Sequence, residues 1–260
     1  NGVHLHAKGK FAPGYIIQLS GDTLRGQIDY RNWSMNPQKI RFKNITSSEI
    51  IEYCPMDIIG FSVLDETYKS AIVKVDSSNT KKLSESPIFE FKTDTAFLQR
   101  IFQGSKSLYF YKNRLNQNNF YIYDNSQYVL LEYKDYITKD IMLKEFLTSN
   151  KRYIGQLRVY LENFNGIDKF LTDIKYKSKN LEKLFDAYYK NNPDGLYQSR
   201  PIEKIKAEYG IVAGINRIDL SFKTSSLSFY PLPEANFENS LNIAGGFFFN
   251  IVLPRNNNRW

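Results

Sequence analysis

Cysteine and histidine are scarce in this chain of 260 residues. The single cysteine, Cys54, excludes an intrachain disulfide and a zinc site built on several thiolates. The two histidines, His4 and His6, lie at the start of the sequence, where chains are usually poorly ordered. A histidine-dependent nucleophile would need these same residues, and no Cys, Asp or Glu close in sequence completes a metal site. The sequence therefore predicts no cofactor, no bound metal and no enzymatic activity.

Long apolar runs are also missing. No stretch of about 18 apolar residues is present, which excludes a transmembrane helix. The sequence opens without the basic and then apolar leader of a secretory signal. If the protein is exported, we expect that its signal was removed before residue 1. If it enters a membrane, it must do so as β-strands.

Aromatic residues and positive charge are abundant instead. Tyr and Phe occur 19 times each, an excess that is typical of β-strands and of aromatic girdles at membrane interfaces. Lys and Arg outnumber Asp and Glu by 35 to 27, which gives a net charge of +8. Because these cations are scattered from Lys8 to Arg259, we interpret them as a solvated surface and expect no nucleic-acid partner.

Residues 1–136 have the pattern of an antiparallel β-rich domain. Short runs that alternate apolar and polar residues are separated by turn residues, which predicts strands with one face in water. Ser20-Gly21-Asp22 predicts a tight turn because Gly and Asp tolerate positive φ. The pattern leaves a sandwich, an open barrel and a long meander as alternatives. The predicted strands are residues 15–19, 23–30, 39–42, 49–53, 58–64, 68–75, 88–92, 96–102, 107–112, 120–123 and 128–133.

The apolar spacing becomes helical from about residue 137, so residues 137–195 are predicted as a small helical subdomain of three short helices. Asn165-Gly166 and residues 175–180 predict the breaks between the helices. The apolar stripes are expected to pack against the sheet or against each other. Residues 196–207 are predicted as a linker. The residues at helical spacing are Ile154, Leu157, Tyr160, Leu161, Phe164, Ile167, Phe170, Leu171, Ile174, Leu181, Leu184, Phe185 and Tyr188.

Residues 208–260 carry the most informative pattern. In residues 241–253 every second side chain is apolar, while the alternate positions are mostly small or polar. A lipid-facing strand needs this pattern over about 9–11 residues. Residues 209–222 form a second candidate strand with less regular alternation, and the pattern alone fits a water-soluble Phe-rich hairpin equally well. The residues predicted to face a membrane are Leu241, Ile243, Phe247, Phe249, Ile251 and Leu253.

Two alternative functions depend on residues of the β-rich region. An envelope enzyme that acts on polysaccharide needs only two carboxylates. A nucleic-acid protein could stack bases on the aromatic run at residues 106–112. We interpret the carboxylates as solvated surface and the aromatic run as strand core, because these are the common roles of such residues. The carboxylates concerned are Asp57, Asp65, Glu66, Glu90 and Asp94.

Four segments resemble outer-membrane β-barrel proteins of Bacteroidota that carry a soluble N-terminal region before the barrel. The likeness spans most of the chain, and its most specific part is the run at residues 20–33. The resemblance implies an exported protein associated with the outer membrane, and no activity or catalytic residue that could be transferred. Family members continue for many more strands, so we expect a longer native protein. The four segments are residues 20–33, Lys106-Ser107-Leu108-Tyr109, Tyr153-Ile154-Gly155-Gln156-Leu157 and Gly245-Gly246-Phe247-Phe248. The shorter runs Gly14-Tyr15-Ile16-Ile17, Asn36-Pro37 and Leu253-Pro254-Arg255 also carry the resemblance.

These observations predict an α+β protein with a mainly antiparallel β domain at 1–136, a helical subdomain at 137–195, a linker at 196–207 and the first hairpin of an outer-membrane β-barrel at 208–260. The expected function is a non-catalytic binding, scaffolding or assembly role in the bacterial outer membrane, with the soluble region in the periplasm. Outer-membrane lipid and other outer-membrane or periplasmic proteins are the expected partners. The alternative is a soluble envelope enzyme that acts on polysaccharide through paired carboxylates.

Overall fold

Antiparallel β-strands dominate the computed structural model of the protein, and a small part of the chain is helical. The structure describes residues 11–78, 83–192, 197–200, 206–220 and 238–252, so the predicted residues His4, His6 and Leu253 lie outside it. The contacts divide the chain into two units, which we call the body (Asn1–Ile202) and the hairpin unit (Glu203–Trp260). The predicted α+β class is confirmed.

One antiparallel sheet forms the frame of the body. Its strands are β1 (Phe11–Gln18), β2 (Thr23–Asp29), β3 (Ile40–Asn44), β4 (Ile50–Tyr53), β5 (Ile58–Val63), β6 (Glu66–Asp76), β7 (Phe91–Gln103), β8 (Leu108–Lys112), β9 (Asn118–Asp124) and β10 (Gln127–Leu130). In space the order is β10-β9-β8-β7-β6-β5-β1-β2-β3-β4, so β1 lies between β5 and β2. Of the arrangements left open by the sequence, strands β1 to β10 form one open sheet made of two meanders, β1 to β4 and β5 to β10, which join where β1 pairs with β5. The sheet does not close on itself.

The first hairpin forms where the sequence predicts it. Gly21 adopts a φ of 94°, and the Gln18 amide donates to the Asp22 carbonyl at 2.8 Å. Gly14 explains how β1 can also approach β5, because a Cβ at this position would lie 2.4 Å from the Ser62 carbonyl oxygen. The same short strand is thereby paired on both sides.

The prediction of one wet face is correct for some strands and wrong for others. In β6, Ala71 and Val73 are buried while Ile72 between them is exposed. In β8 and β9 both faces are covered, since Leu108 packs into one apolar cluster and Tyr109 into another. On these strands, both sets of alternating positions carry large apolar or aromatic residues, so neither face is polar. The helices cover the face that contains Leu108 and Phe120.

Three helices provide that cover. They are α1 (Arg152–Tyr160), α2 (Asp168–Leu171) and α3 (Ser178–Asn191). Tyr153, Leu157 and Phe185 are fully buried in the same cluster as Leu108 and Phe120 of the sheet. Phe102 stacks on Phe185 with ring centroids 5.8 Å apart. The prediction that the helical stripes pack against the sheet is therefore confirmed.

The structure differs from the sequence prediction at residues 137–150, where helix was expected. This segment forms a β-hairpin of β11 (Lys134–Lys139) and β12 (Glu145–Asn150), and the first helix begins only at Arg152. Ile137 pairs with Leu147, and Thr138 pairs with Phe146. The apolar residues here pair across the hairpin and do not form a buried face. Their spacing therefore does not report a helix that packs on a core.

The edge of the sheet at β10 is covered by a side chain of α1. The Gln156 amide nitrogen donates to the Leu130 carbonyl at 2.8 Å, and its amide oxygen accepts from the Glu132 backbone N–H at 2.8 Å. One primary amide thus makes the two hydrogen bonds that a neighbouring strand would make. A short strand, β13 (Gln198–Ser199), pairs with β7 in the interior of the sheet path.

The hairpin unit contains two long strands, β14 (Lys206–Ile218) and β15 (Ser240–Val252), of 13 residues each. They pair antiparallel along their whole length, from Lys206 with Val252 to Ile218 with Ser240. In the described part of the chain they form a separate two-stranded sheet.

Candidate functional site

The register of the hairpin unit sorts its side chains onto two faces. Directly paired residues of antiparallel strands point to the same side of the sheet. Tyr209 pairs with Phe249, Ile211 with Phe247, and Ile215 with Ile243. We call this side the apolar face; it comprises Ala207, Tyr209, Ile211, Ala213, Ile215, Leu241, Ile243, Gly245, Phe247, Phe249 and Ile251, with Arg217 at one end.

The opposite side, which we call the mixed face, carries mostly small or polar residues. Glu208 pairs with Asn250, Gly214 with Ala244, and Asn216 with Asn242. Its one large ring, Phe248, lies across Gly210, where a Cβ would be 2.5 Å from the ring. Phe248 is therefore 48% exposed, against 87% for Phe247 on the apolar face. The irregular alternation of the first strand becomes clear only through this pairing, because each of its residues takes the face of its partner.

The five predicted membrane-facing residues within the described ranges all lie on the apolar face and are exposed: Leu241, Ile243, Phe247, Phe249 and Ile251. The first strand adds Tyr209, Ile211 and Ile215, which are exposed as well. These three are not among the predicted membrane-facing residues, because the alternation of the first strand is less regular. An exposed apolar surface of this extent marks a site that is covered by a membrane or a partner.

Length and charge complete the description of the hairpin unit. Each strand has 13 residues, more than the 9–11 that a tilted strand needs to cross a hydrocarbon core. At about 3.4 Å per residue, the strand extends about 44 Å. The charged residues of β14 are Lys206 and Glu208 at one end and Arg217 at the other, and β15 contains none. Arg217 pairs with Asp219 at 3.1 Å. The stretch between these ends is uncharged.

The candidate carboxylates of the body are engaged in separate parts of the fold. Asp57 accepts from the Cys54 backbone N–H at 2.6 Å. Glu66 accepts from the Tyr30 and Tyr68 hydroxyls at 3.1 and 2.6 Å. Asp94 accepts from the Tyr111 hydroxyl at 3.2 Å and borders a cavity of about 230 Å³. Asp65 lies in the turn between β5 and β6, as the sequence predicts. Glu90, which falls in the predicted strand 88–92, lies directly before β7 and accepts at its carbonyl from the Ser77 backbone N–H at 2.7 Å.

A larger cavity of about 330 Å³ brings together two carboxylates that the sequence analysis did not consider, Asp76 and Asp135. Asp76 accepts from the Ser78 backbone N–H at 2.9 Å. Asp135 accepts from the Tyr133 and Ser149 hydroxyls, both at 2.6 Å. Both carboxylates therefore hold neighbouring segments in place by ordinary structural hydrogen bonds.

The aromatic run at residues 106–112 is part of the core. Leu108, Tyr109 and Tyr111 are buried, and the Lys106 ammonium lies 4.5 Å from the centroid of the Tyr160 ring. Burial, together with the charge of Asp94, raises the pKa of Tyr111 to about 12. Rings in this position cannot stack on bases, so the interpretation as strand core is the one that fits the geometry.

No helix in the described ranges is both long enough and apolar enough to cross a membrane. His, Cys, Asp and Glu residues in these ranges do not gather in groups of three or more that could hold a metal ion. Comparison of the whole chain with protein-family models, curated proteins and solved structures gives no significant match. The arrangement of the hairpin unit is therefore the main guide to function.

Proposed function

We propose that the hairpin unit is inserted in the bacterial outer membrane as two strands of a β-barrel, with the apolar face towards lipid and the mixed face towards the barrel interior. The observation that supports this most directly is the register of β14 with β15, which places eight of the eleven exposed large apolar side chains of the two strands on one side. A barrel strand has this division between its lipid and interior faces.

The energetics of the apolar face favour an apolar surrounding. Burying a large apolar side chain contributes roughly 1.5–3 kcal/mol, and the apolar face exposes eight such side chains: Tyr209, Ile211, Ile215, Leu241, Ile243, Phe247, Phe249 and Ile251. An isolated two-stranded hairpin is at best marginally stable in water. Lipid would cover the apolar face, while the small residues of the mixed face leave room for the barrel interior.

The proposal requires more strands than the two described. Each backbone group left unpaired in lipid costs several kcal/mol, and the smallest single-chain barrels have about 8 strands. Both outer edges of the hairpin unit would therefore be paired with further strands, supplied by this chain or by other chains.

The body, in this proposal, is a periplasmic domain with a non-catalytic binding or scaffolding role in a complex with other outer-membrane or periplasmic proteins. The structural use of Asp57, Glu66 and Asp94 supports this role over polysaccharide hydrolysis. Outer-membrane lipid is the proposed partner of the hairpin unit.

A pair of arginine substitutions in one strand tests the orientation. Phe247→Arg puts a charge on the apolar face, which costs about 2–4 kcal/mol at the middle of a membrane. Ala244→Arg puts the same charge on the mixed face, three positions away. We expect Phe247→Arg to move the protein from washed outer membranes to the soluble or aggregated fraction, while Ala244→Arg remains in the membrane. Equal behaviour of the two variants would contradict the proposed orientation.

A further inference from the structure

The turn between β11 and β12 carries three consecutive large apolar residues that touch almost nothing. Ile141, Met142 and Leu143 are 103%, 89% and 77% exposed. We call these three residues the tip. They belong to the body and are distinct from the apolar face of the hairpin unit. Three large apolar side chains at such exposure are unusual for a turn, whose residues are ordinarily polar.

The tip is held in a defined conformation. The Asp140 carboxylate accepts from the backbone N–H groups of Met142 and Lys144 at 2.8 and 2.9 Å. The Leu143 N–H donates to the Asp140 carbonyl at 3.0 Å, and the Asp140 N–H donates to the Lys144 carbonyl at 3.1 Å. These backbone groups are already satisfied within the turn, so an apolar medium could receive the tip without leaving them unpaired.

The backbone at Leu143 adds to the cost of the tip. Leu143 has a φ of 61°, in the left-handed region that glycine or asparagine would occupy at lower cost. Leu64, in another turn, shares this conformation with a φ of 52°, but it is a single exposed apolar residue at 56% exposure. What distinguishes the tip is therefore the run of three large apolar residues, each at least 77% exposed.

The hairpin that carries the tip is fixed to the rest of the body at several points. The Lys134 ammonium donates to the Ile88 carbonyl at 2.6 Å, and the Asn150 side-chain amide donates to the Pro87 carbonyl at 3.0 Å. Lys139 forms an ion pair with Glu85 at 3.2 Å. The tip is therefore a supported projection, and its position is set by the body.

The exposure of the tip favours a fluid layer. All three side chains are exposed at once, and a lipid layer entered end-on surrounds all three. Lys144 follows the tip in the sequence, with its ammonium 5.6 Å from the Phe146 ring centroid. A lysine next to inserted apolar residues can extend its charge to the lipid phosphates.

We propose that Ile141, Met142 and Leu143 form a membrane anchor of the body, which inserts into the surface layer of an anionic phospholipid membrane while Lys144 contacts the headgroups. This contact is additional to the insertion of the hairpin unit and does not depend on it, because the tip and the apolar face are separate surfaces of separate units.

Fluorescent labels at single positions test the anchor in the full chain. The exposed Cys54 is first replaced by serine, and an environment-sensitive dye is attached at Met142→Cys. The control is Leu64→Cys, another turn leucine that is 56% exposed and has a φ of 52°. With vesicles of phosphatidylethanolamine and phosphatidylglycerol, we expect a blue shift and quenching by nitroxide lipids at Met142→Cys and neither change at Leu64→Cys.

A label at Phe247→Cys in the same background reports the insertion of the hairpin unit separately. Quenching at residue 247 without quenching at residue 142 would overturn the anchor and leave the proposed function standing. Quenching at residue 142 alone would support the anchor and contradict the proposed function. A blue shift at residue 142 without nitroxide quenching would show a protein surface, including a second copy of this chain, at the tip and would also overturn the anchor.

Aspartate substitutions give a quantitative test with a matched control. Leu143→Asp removes one anchoring side chain and adds a charge of the sign that anionic lipid repels, so we expect at least a tenfold fall in the ratio of inserted to free tips. This ratio is measured from the fraction of the label at residue 142 that nitroxide lipids quench at saturating vesicle concentration, where the affinity of the hairpin unit no longer matters. Leu64→Asp should leave this ratio unchanged. Equal values for Leu143→Asp and the parent protein would overturn the proposal.

Discussion

Phenylalanine has opposite surroundings in the two units of this protein. Phe120 in β9 has no exposed surface, whereas Phe247 in β15 is 87% exposed. In β8 and β9, one apolar cluster covers one face and a second cluster covers the other. In the hairpin unit, the strands are longer, and among the described strands they pair only with each other. The comparison teaches that the sheet of the body buries its aromatic residues within its own unit, while the two strands of the hairpin unit leave theirs exposed.

Truncation of these two phenylalanines should give the largest difference between the units. Phe120→Ala leaves a cavity between the sheet and Tyr176, and we expect it to lower the free energy of unfolding of the body by about 3–5 kcal/mol. Phe247→Ala should change the same transition by less than about 0.5 kcal/mol. Urea unfolding followed by near-ultraviolet circular dichroism measures both. A comparable effect of Phe247→Ala would mean that its ring packs in the body, which would break the comparison.

Glycine gives a second contrast, with a change of sign. A Cβ at Gly26 would lie 2.4 Å from the ring of the buried Phe42 and 2.5 Å from the Lys43 carbonyl oxygen. We expect Gly26→Ala to destabilise the body by about 1–3 kcal/mol. A Cβ at Gly214 would meet nothing within 4 Å, and alanine there should stabilise the strand by about 0.5–1 kcal/mol. Urea midpoints report the first effect, and amide hydrogen exchange of β14 reports the second. Destabilisation by both substitutions would show that β14 is already closely packed.

Local signals in the sequence predicted much of the fold. The predicted turn at Ser20-Gly21-Asp22 is confirmed, because the tolerance of positive φ is a property of the turn residues themselves. The helical stripes containing Leu157 and Phe185 were correct because a buried helix face repeats within a few residues. The same logic identified the apolar face of β15. These features depend on neighbours in sequence, and a single sequence contains that information.

Features that depend on distant partners could not be predicted in this way. The position of β1 between β5 and β2 requires the pairing of Gly14 with Val63, which no local pattern specifies. That the apolar residues of β14 share a side with those of β15 follows from the register, in which Tyr209 pairs with Phe249 and Ile211 with Phe247. The exposed tip at 141–143 falls in the region 137–195 that the sequence predicts as helical, because apolar residues without a buried face show no strand or helix period.

The edges of the body sheet and of the hairpin unit offer a third test. The Gln156 side chain bonds Leu130 and Glu132 at the edge of the body sheet, while the edges of the hairpin unit have no such cap in the described residues. Gln156→Ala leaves a carbonyl and an N–H unpaired, and we expect a loss of about 1–3 kcal/mol in the unfolding of the body. Gln127→Ala, an exposed glutamine of β10, is the control and should change it by less than about 0.5 kcal/mol. A neutral Gln156→Ala would mean that water replaces the cap freely.

Alkaline pH should lower the stability of the body through its buried tyrosine hydroxyls. Burial, and then the charge of Asp94, raises the pKa of Tyr111 to about 12, while an unfolded phenol has a pKa of about 10. Below about pH 10 the phenol is protonated in both states, so its contribution to stability is constant. Between that pH and about 12, the unfolded chain loses a proton that the folded protein retains, and stability falls as pH rises.

Tyr111→Phe isolates this contribution. At neutral pH the variant loses the hydrogen bond to Asp94 and should be less stable than the parent protein by about 0.5–1.5 kcal/mol. Because phenylalanine does not ionise, the variant does not lose stability at this position as pH rises. The gap in unfolding free energy between the two proteins should therefore narrow above about pH 10. Urea unfolding at a series of pH values measures the gap. A gap that stays constant or widens would mean that the phenol ionises as readily in the folded body as in the unfolded chain, and that the interior of the sheet is more hydrated than its packing indicates.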